Sequence, residues 1–200
     1  MKRFFIILSA MFVAGSALAE NAPLTANISV SPDWGKTQCA SLPGKGMTIV
    51  WQGTTDKREN PSVGLLKKGD DEFDVKLAAG VDATVGEAIK AVLKNCGFEM
   101  AADKNAEGIK AEAEVLELFA GAKKGFLTGE TNANGSLLVR FSNGGQSYDF
   151  NFGASKSDKR LKKKNIKQLE DVLTGLLEQL VVQIGESPAL FSELKRMSGK

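Results

Sequence analysis

The feature of this sequence that most restricts its fold is a long apolar stripe near the C-terminus. Aliphatic residues recur there at intervals of three and four positions, at Ile166, Leu169, Val172, Leu173, Leu176, Leu177, Leu180, Val181 and Ile184. This spacing places their side chains on one face of an α-helix. Such a face is normally buried against a sheet, so we interpret it as core rather than as a cofactor groove or a site for a partner helix. The spacing predicts a helix from about Asp158 to Gly185.

The segments before this helix have the patterns of strands. Residues 47–53, 72–78 and 108–123 are rich in β-branched residues or alternate between apolar and polar positions. Asn143-Gly144-Gly145 predicts a tight hairpin, and Asn134-Gly135 predicts a turn that divides residues 125–141 into two strands. Apolar positions at helical spacing predict a first helix over residues 83–98, and residues 189–197 predict a short last one. We therefore expect an α+β fold, with two main helices packed on one face of a mostly antiparallel sheet.

The N-terminus has the features of an export signal. Lys2 and Arg3 precede a short apolar run, and Ala17-Leu18-Ala19 is a small-x-small cleavage site. We expect residues 1–19 to be a signal peptide that is cleaved after Ala19, with an uncleaved anchor as the alternative. Glu20 stands where a lipoprotein would carry cysteine, and no later apolar run is long enough to span a membrane. The sequence thus predicts a periplasmic protein with a loop-rich extension over residues 20–46 and a single α+β domain over residues 47–200.

Charge and composition argue against several functional classes. The formal net charge is +2, and loss of Lys2 and Arg3 would bring it to zero, so we expect no nucleic-acid partner. The chain has no histidine, which removes Ser-His-Asp and Cys-His sites and most catalytic zinc sites. CxxC and the glycine-rich nucleotide-binding motifs are also absent from the sequence. We expect no catalytic residue, metal or cofactor.

One acidic run remains as a candidate for carboxylate chemistry. Asp70-Asp71-Glu72, together with Asp74, forms the densest group of acids in the chain. Paired carboxylates can act as general acid and base, and clustered oxygens can hold calcium. The run lacks the spacing of an EF-hand loop, and it follows a Lys-Lys-Gly segment that is typical of a polar turn. We interpret it as a solvated loop.

The chain contains two cysteines, Cys39 and Cys96. In an oxidising compartment such a pair favours a disulfide, which would close a long loop and restrict the unfolded chain. The alternative is two buried thiols, because sequence separation alone does not show that two cysteines meet.

A basic cluster lies at the predicted start of the long helix. Its members are Lys159, Arg160, Lys162, Lys163, Lys164 and Lys167. Cations are mildly unfavourable at a helix N-terminus, because the helix dipole is positive there. Two interpretations stay open. The cluster is either a solvated helix start or a site that binds an anionic component of the cell envelope.

A short motif resembles that of a known family. The segment DKRENPSVG, from Asp56 to Gly64, resembles the Asp-x-Arg-x-x-x-x-(Val/Ile)-Gly motif of the YajG-like bacterial envelope lipoproteins. The segment KNCGFEM is similar to the end of their helix, and the order of elements over residues 45–185 is similar too. The missing lipid-attachment cysteine departs from the family pattern.

The resemblance implies an envelope protein without an assigned reaction. It also implies structural roles for Asp56, Arg58 and Gly64: a pairing of Arg58 with a buried carboxylate, and a close backbone approach at Gly64. We therefore expect a non-enzymatic binding or scaffold module of the periplasm or cell envelope, which contacts an envelope protein or an anionic envelope component. The alternatives are an auxiliary subunit of an envelope transport system and a carboxylate-dependent hydrolase. The sequence does not indicate an oligomeric state.

Overall fold

The computed structural model describes residues 24–28, 39, 42–68, 71–123, 129–160 and 166–199. The predicted signal peptide, residues 1–19, lies outside them. In chain order the elements are β1 (Leu24–Ala26), β2 (Thr48–Asp56), β3 (Gly64–Lys68), β4 (Asp71–Leu77), α1 (Val81–Asn95), β5 (Glu99–Met100), β6 (Ile109–Lys123), β7 (Gly129–Asn143), β8 (Gln146–Arg160), α2 (Ile166–Gly185) and α3 (Pro188–Met197).

The strands form one mixed sheet, which corrects the prediction of a mostly antiparallel one. β6 is its centre: β7 pairs with one edge of β6 in antiparallel fashion, and β2 and β3 pair with the other edge in parallel. β1 is parallel to β4, and β5 is parallel to β2. The parallel pairing of β5 with β2 arises because α1 connects β4 to β5 and returns the chain to the sheet in the direction of β2. The fold is α+β as expected.

The interface between the sheet and α2 contains much of the core. The stripe residues from Leu169 to Ile184 are almost completely buried, and they contact β7 and β8. α1 contacts α2 and β2, so the two main helices lie on the same face of the sheet. The stripe is therefore core, as its spacing predicted. Within the described ranges, no helix combines the length and apolarity that a membrane span requires.

One predicted turn is wrong. β7 continues through Asn134-Gly135 without a break and pairs with β8 over its whole length. Gly135 serves another purpose, because a Cβ atom at this position would lie only 2.8 Å from Leu180 Cδ1 of α2. Its absent side chain lets the helix approach the sheet. The second predicted hairpin is confirmed, since Gly144 and Gly145 connect β7 to β8 with φ values of 56° and 82°.

The start of the long helix is also corrected. Residues 158–160 belong to β8, and α2 begins at Ile166. β8 extends this far because it follows β7 residue by residue, from Gln146 opposite Asn143 to Arg160 opposite Gly129. Within the N-terminal extension, which was predicted to be loop-rich, Leu24–Ala26 forms β1.

Candidate functional site

The segment that carries the family motif forms a loop along one edge of β6, between β2 and β3, and we call residues 56–64 the motif loop. β2 ends where Asp56 pairs with Val115 of β6, and β3 begins where Gly64 pairs with Ala120. The Lys57 N–H donates to the Val115 carbonyl at 2.9 Å, and the Ala120 N–H donates to the Val63 carbonyl at 2.8 Å. The motif loop thus spans a gap of four β6 residues, 116–119, between two strands on the same edge.

Arg58 fills this gap. Its Nη1 donates to the Leu118 carbonyl of β6 at 2.8 Å and to the Ser62 carbonyl at 3.0 Å. Its Nε and Nη2 each donate to one carboxylate oxygen of Asp56 at 2.8 Å, and Nη2 also donates to the Pro61 carbonyl at 3.2 Å. A guanidinium has five N–H donors, and these five bonds use them all. The hydrogen bond from Arg58 lowers the pKa of Asp56 below its ordinary value.

The position of Arg58 differs in one respect from what the family resemblance implies. Only 5% of the Arg58 side chain is exposed, whereas 32% of the Asp56 side chain is. The carboxylate that pairs with Arg58 therefore comes from the motif itself and lies near the surface. The arginine is the buried partner.

The end of the motif loop is held by Ser62 and Gly64. The Ser62 N–H donates to Asn60 Oδ1 at 2.9 Å, and the buried Ser62 hydroxyl lies 2.6 Å from the Gly64 carbonyl oxygen. A Cβ atom at Gly64 would lie 2.8 Å from the Ala120 carbonyl oxygen and 3.0 Å from Leu169 Cδ2 of α2. Gly64 therefore stands where the chain passes closely between β6 and α2.

A groove with a volume of about 500 Å³ runs beside the motif loop, and we call it the motif groove. Its lining residues are Lys57, Arg58, Glu59, Asn60, Ser62, Leu116, Glu117, Leu118 and Phe119. The register between β6 and β7 shifts at this point, from Val115 opposite Leu137 to Glu117 opposite Ser136. The bulge leaves Leu116 unpaired with β7, and its side chain is 42% exposed.

Sequence reasoning missed Leu116. The adjacent apolar residues Val115 and Leu116 interrupt the alternation of β6. That interruption is the signal of the bulge.

The six residues of the predicted anion site are only partly described. Lys159 and Arg160 end β8, Lys167 lies in the first turn of α2, and Lys162, Lys163 and Lys164 fall outside the described residues. Lys159 Nζ lies 3.9 Å from Glu130 Oε1, and Lys167 Nζ lies 3.2 Å from Asp171 Oδ1. The cluster does not form one helix start, and anion binding by it stays a prediction.

Two other predicted groups have definite positions. Cys39 and Cys96 are joined in a disulfide, with their Cα atoms 5.1 Å apart. It fastens the chain before β2 to the C-terminal end of α1. In the acidic run, Asp71 and Glu72 belong to β4 rather than to a loop, Asp74 is exposed on the same strand, and Asp70 lies outside the described residues.

The outer face of the sheet carries an ion-pair group that the sequence analysis did not single out. Arg140 donates from Nε and Nη2 to the two carboxylate oxygens of Asp149, at 2.7 and 2.8 Å, and from Nη1 to Glu112 Oε1 at 3.1 Å. These bonds lower the pKa of Asp149 and raise that of Arg140. All three residues are exposed to solvent to a considerable extent, so this group resembles Arg58 in chemistry but not in burial.

The chain belongs to a family of uncharacterized lipoproteins, whose family model matches residues 44–195. Membership of a lipoprotein family indicates a location in the cell envelope. No curated protein matches the chain.

The comparison with solved structures found matches at low sequence identity. Protein XCC0632 from Xanthomonas campestris, of the DUF330 family, has a TM-score of 0.56 and 9% identity, and the match covers 88% of this chain and 98% of that one. At this identity the similarity establishes the fold alone. The hypothetical protein CT253 from Chlamydia trachomatis matches with a TM-score of 0.44 and 9% identity. That match covers 70% of this chain and 95% of that one, and its TM-score is too low to support an argument.

Proposed function

We propose that this protein is a non-enzymatic binding module of the bacterial cell envelope. It is exported to the periplasm with cleavage after Ala19, and it is related to the YajG-like group. The observation that carries the proposal is the use of Arg58. All five of its N–H donors are engaged within the motif loop and β6, so no donor is left for a substrate. A motif used in this way builds a surface rather than a reaction centre.

The motif groove is the surface that we assign to binding. An exposed leucine in a groove of this size favours an apolar contact, and half-buried Phe119 enlarges it. The charged lining is mixed: Lys57 faces the groove with Glu59 and Glu117, and Asp56 neutralises Arg58. Such a lining does not favour an anionic ligand over a neutral one. We therefore assign the groove to a segment of another envelope protein with an apolar anchor side chain.

Affinity capture from chemically cross-linked envelopes tests this function when it is combined with a groove variant. Wild type should retain one dominant protein, and Leu116→Glu should lose it, because a buried carboxylate without a partner opposes docking. Glu87→Gln on α1 is the matched surface control, since Glu87 lies away from the groove lining.

Two results separate the alternative functions: which protein is captured, and whether its capture depends on Leu116. A transporter component lost in the Leu116 variant would assign the auxiliary role. Equal capture by wild type and Leu116→Glu would overturn the assignment of the groove. Turnover of an envelope glycan by the purified protein would replace the binding function with hydrolysis.

A further inference from the structure

A second exposed apolar surface lies at the opposite end of β2 from the motif groove, next to the disulfide. We call it the Leu42 patch, and its residues are Leu42, Pro43, Lys45, Met47, Pro188, Phe191, Ser192 and Lys195. They surround a depression of about 560 Å³ between the turn before β2 and the start of α3. Of the large apolar side chains in the described ranges, Leu42 and Leu116 are the exposed ones, and Leu42 is the more exposed at 51%.

Leu42 is held outward by an unusual backbone. Its φ is 47°, and no other non-glycine residue among those that the structure describes has a positive φ. Leucine rarely adopts this left-handed conformation, because its Cβ atom crowds the following carbonyl oxygen. Strain of this kind tends to occur at binding sites, where the surrounding structure enforces it.

The surrounding structure enforces this conformation by several contacts. The disulfide fastens Cys39 to the end of α1, and the Gly44 N–H donates to the Cys96 carbonyl at 2.9 Å. Gly97 lies so close that a Cβ atom there would be 3.1 Å from Leu42 Cβ. The turn that carries Leu42 is therefore fixed to the end of a helix, with Leu42 half exposed.

The floor of the patch is equally rigid. Phe191 of α3 lies against Phe98, with ring centroids 6.1 Å apart and an interplanar angle of 28°. Ser187 caps α3 by accepting a hydrogen bond from the Leu190 N–H, and Pro188 occupies the first turn of the helix. The patch is a formed surface that needs no rearrangement before it binds.

The charge of the patch differs from that of the motif groove. Lys45 and Lys195 are exposed at its rim, and no carboxylate belongs to the lining among the residues that the structure describes. An apolar centre with two lysines at its rim is complementary to an amphiphile with an anionic head group. Lysine side chains are well suited to such an interface, because their stems cover apolar surface while the ammonium groups stay in water.

We propose that the Leu42 patch docks the protein on the surface of a membrane that contains anionic phospholipids. Leu42 enters the boundary between head groups and acyl chains, and Lys45 and Lys195 contact the phosphates. Both cysteines of the chain are joined to each other, so neither has a free thiol that could carry a lipid. This site is separate from the motif groove and does not depend on the function proposed for it.

Vesicle co-sedimentation of the exported, processed protein tests the proposal. The vesicles contain phosphatidylglycerol and phosphatidylethanolamine, and vesicles of phosphatidylcholine are the neutral comparison. Leu42→Gly is the decisive variant, because glycine adopts a positive φ without strain. It removes the apolar side chain but should keep or raise the midpoint of thermal unfolding.

The expected results follow from the chemistry of the patch. Wild type should bind the anionic vesicles, and Leu42→Gly should bind about five- to tenfold less, since half a leucine side chain loses its contact with the bilayer. Lys45→Gln and Lys195→Gln should each weaken binding by about fivefold at low ionic strength. The difference in binding between wild type and each of these variants should shrink in about 0.5 M salt.

Leu116→Ser is the matched control, because it removes the other exposed leucine from a different surface. It should sediment with vesicles as wild type does. Three results would overturn the proposal: wild type that fails to bind anionic vesicles, Leu42→Gly that binds as wild type does, or equal losses in Leu42→Gly and Leu116→Ser. Since every variant shares the same N-terminus, residues before the patch do not explain a difference between them.

Discussion

Replacement of Arg58 by methionine tests whether the motif is structural. Methionine keeps much of the length of the arginine stem and removes all five donors. The carbonyl oxygens of Leu118 and Ser62 would lose a charged donor in a partly buried position. Asp56 would also lose its cation, which adds a smaller cost because water screens this partly exposed carboxylate.

The size of the effect follows from these environments. A buried acceptor that loses its partner costs about 1–3 kcal/mol, and two such carbonyls are affected. Partial entry of water places each near the lower end of that range. We therefore expect Arg58→Met to lower the free energy of unfolding by about 2 kcal/mol.

Urea unfolding monitored by circular dichroism measures this change, with Arg140→Met as the matched control. Arg140 also makes a bidentate bond to an aspartate, yet on the exposed face of the sheet, where water replaces a lost partner. We expect a much smaller shift of the midpoint for Arg140→Met. Equal midpoints for the two variants would refute the reasoning, because burial of Arg58 would then contribute nothing.

Three further predictions concern pH, the disulfide and the core. The folded-state pKa of Asp56 lies below its unfolded value of about 3.9, so the ion pair with Arg58 stabilises the fold above about pH 3.9 and is lost as the pH falls through the folded-state pKa. The difference in unfolding free energy between wild type and Arg58→Met should therefore narrow below about pH 4. A difference that stays constant down to about pH 2 would argue against this. Cys39→Ser with Cys96→Ser should destabilise by about 4 kcal/mol on the chain-entropy estimate, and labelling of two thiols in alkylated, unreduced wild type would show that the disulfide does not form. Leu177→Ala, at a fully buried position of α2, should cost roughly 2–5 kcal/mol, and an unchanged denaturation midpoint would mean that this face is not core.

The parts of the fold that the sequence predicted depend on local patterns. The α2 stripe has helical spacing over its whole length, and only one side of the helix can be buried. The Gly144-Gly145 hairpin needs two positive φ values, which glycine adopts freely. Both signals are complete within a short window of sequence.

The errors in the predicted fold arise where residues far apart in sequence determine the local structure. Asn134-Gly135 has the composition of a turn, but α2, which follows later in the chain, requires a residue without a side chain at Gly135. Residues 153–160 are polar and carry little strand signal of their own, and pairing with β7 extends them as a strand. Parallel pairing was missed because the register of β2 and β3 on β6 depends on strands that are far apart in sequence.

The candidate sites were predictable to a different extent. The motif resemblance pointed to Arg58 and Gly64, but their roles depend on Leu118 and Ala120 of β6, which lie far along the chain. The bulge that exposes Leu116 and the strained turn that exposes Leu42 are properties of the assembled fold. The adjacent Val115 and Leu116 signal the bulge, whereas no pattern in the sequence indicates that Leu42 is exposed.

Site-specific photo-cross-linking in living cells tests the central claim most directly. A photoreactive amino acid is placed at Leu116 in the motif groove and, as the control, at Glu87, which is exposed on α1. We expect one discrete cross-linked envelope protein from position 116 and none from position 87. Absence of any adduct at 116, or the same adducts from both positions, would contradict the assignment of the motif groove as a protein-binding surface.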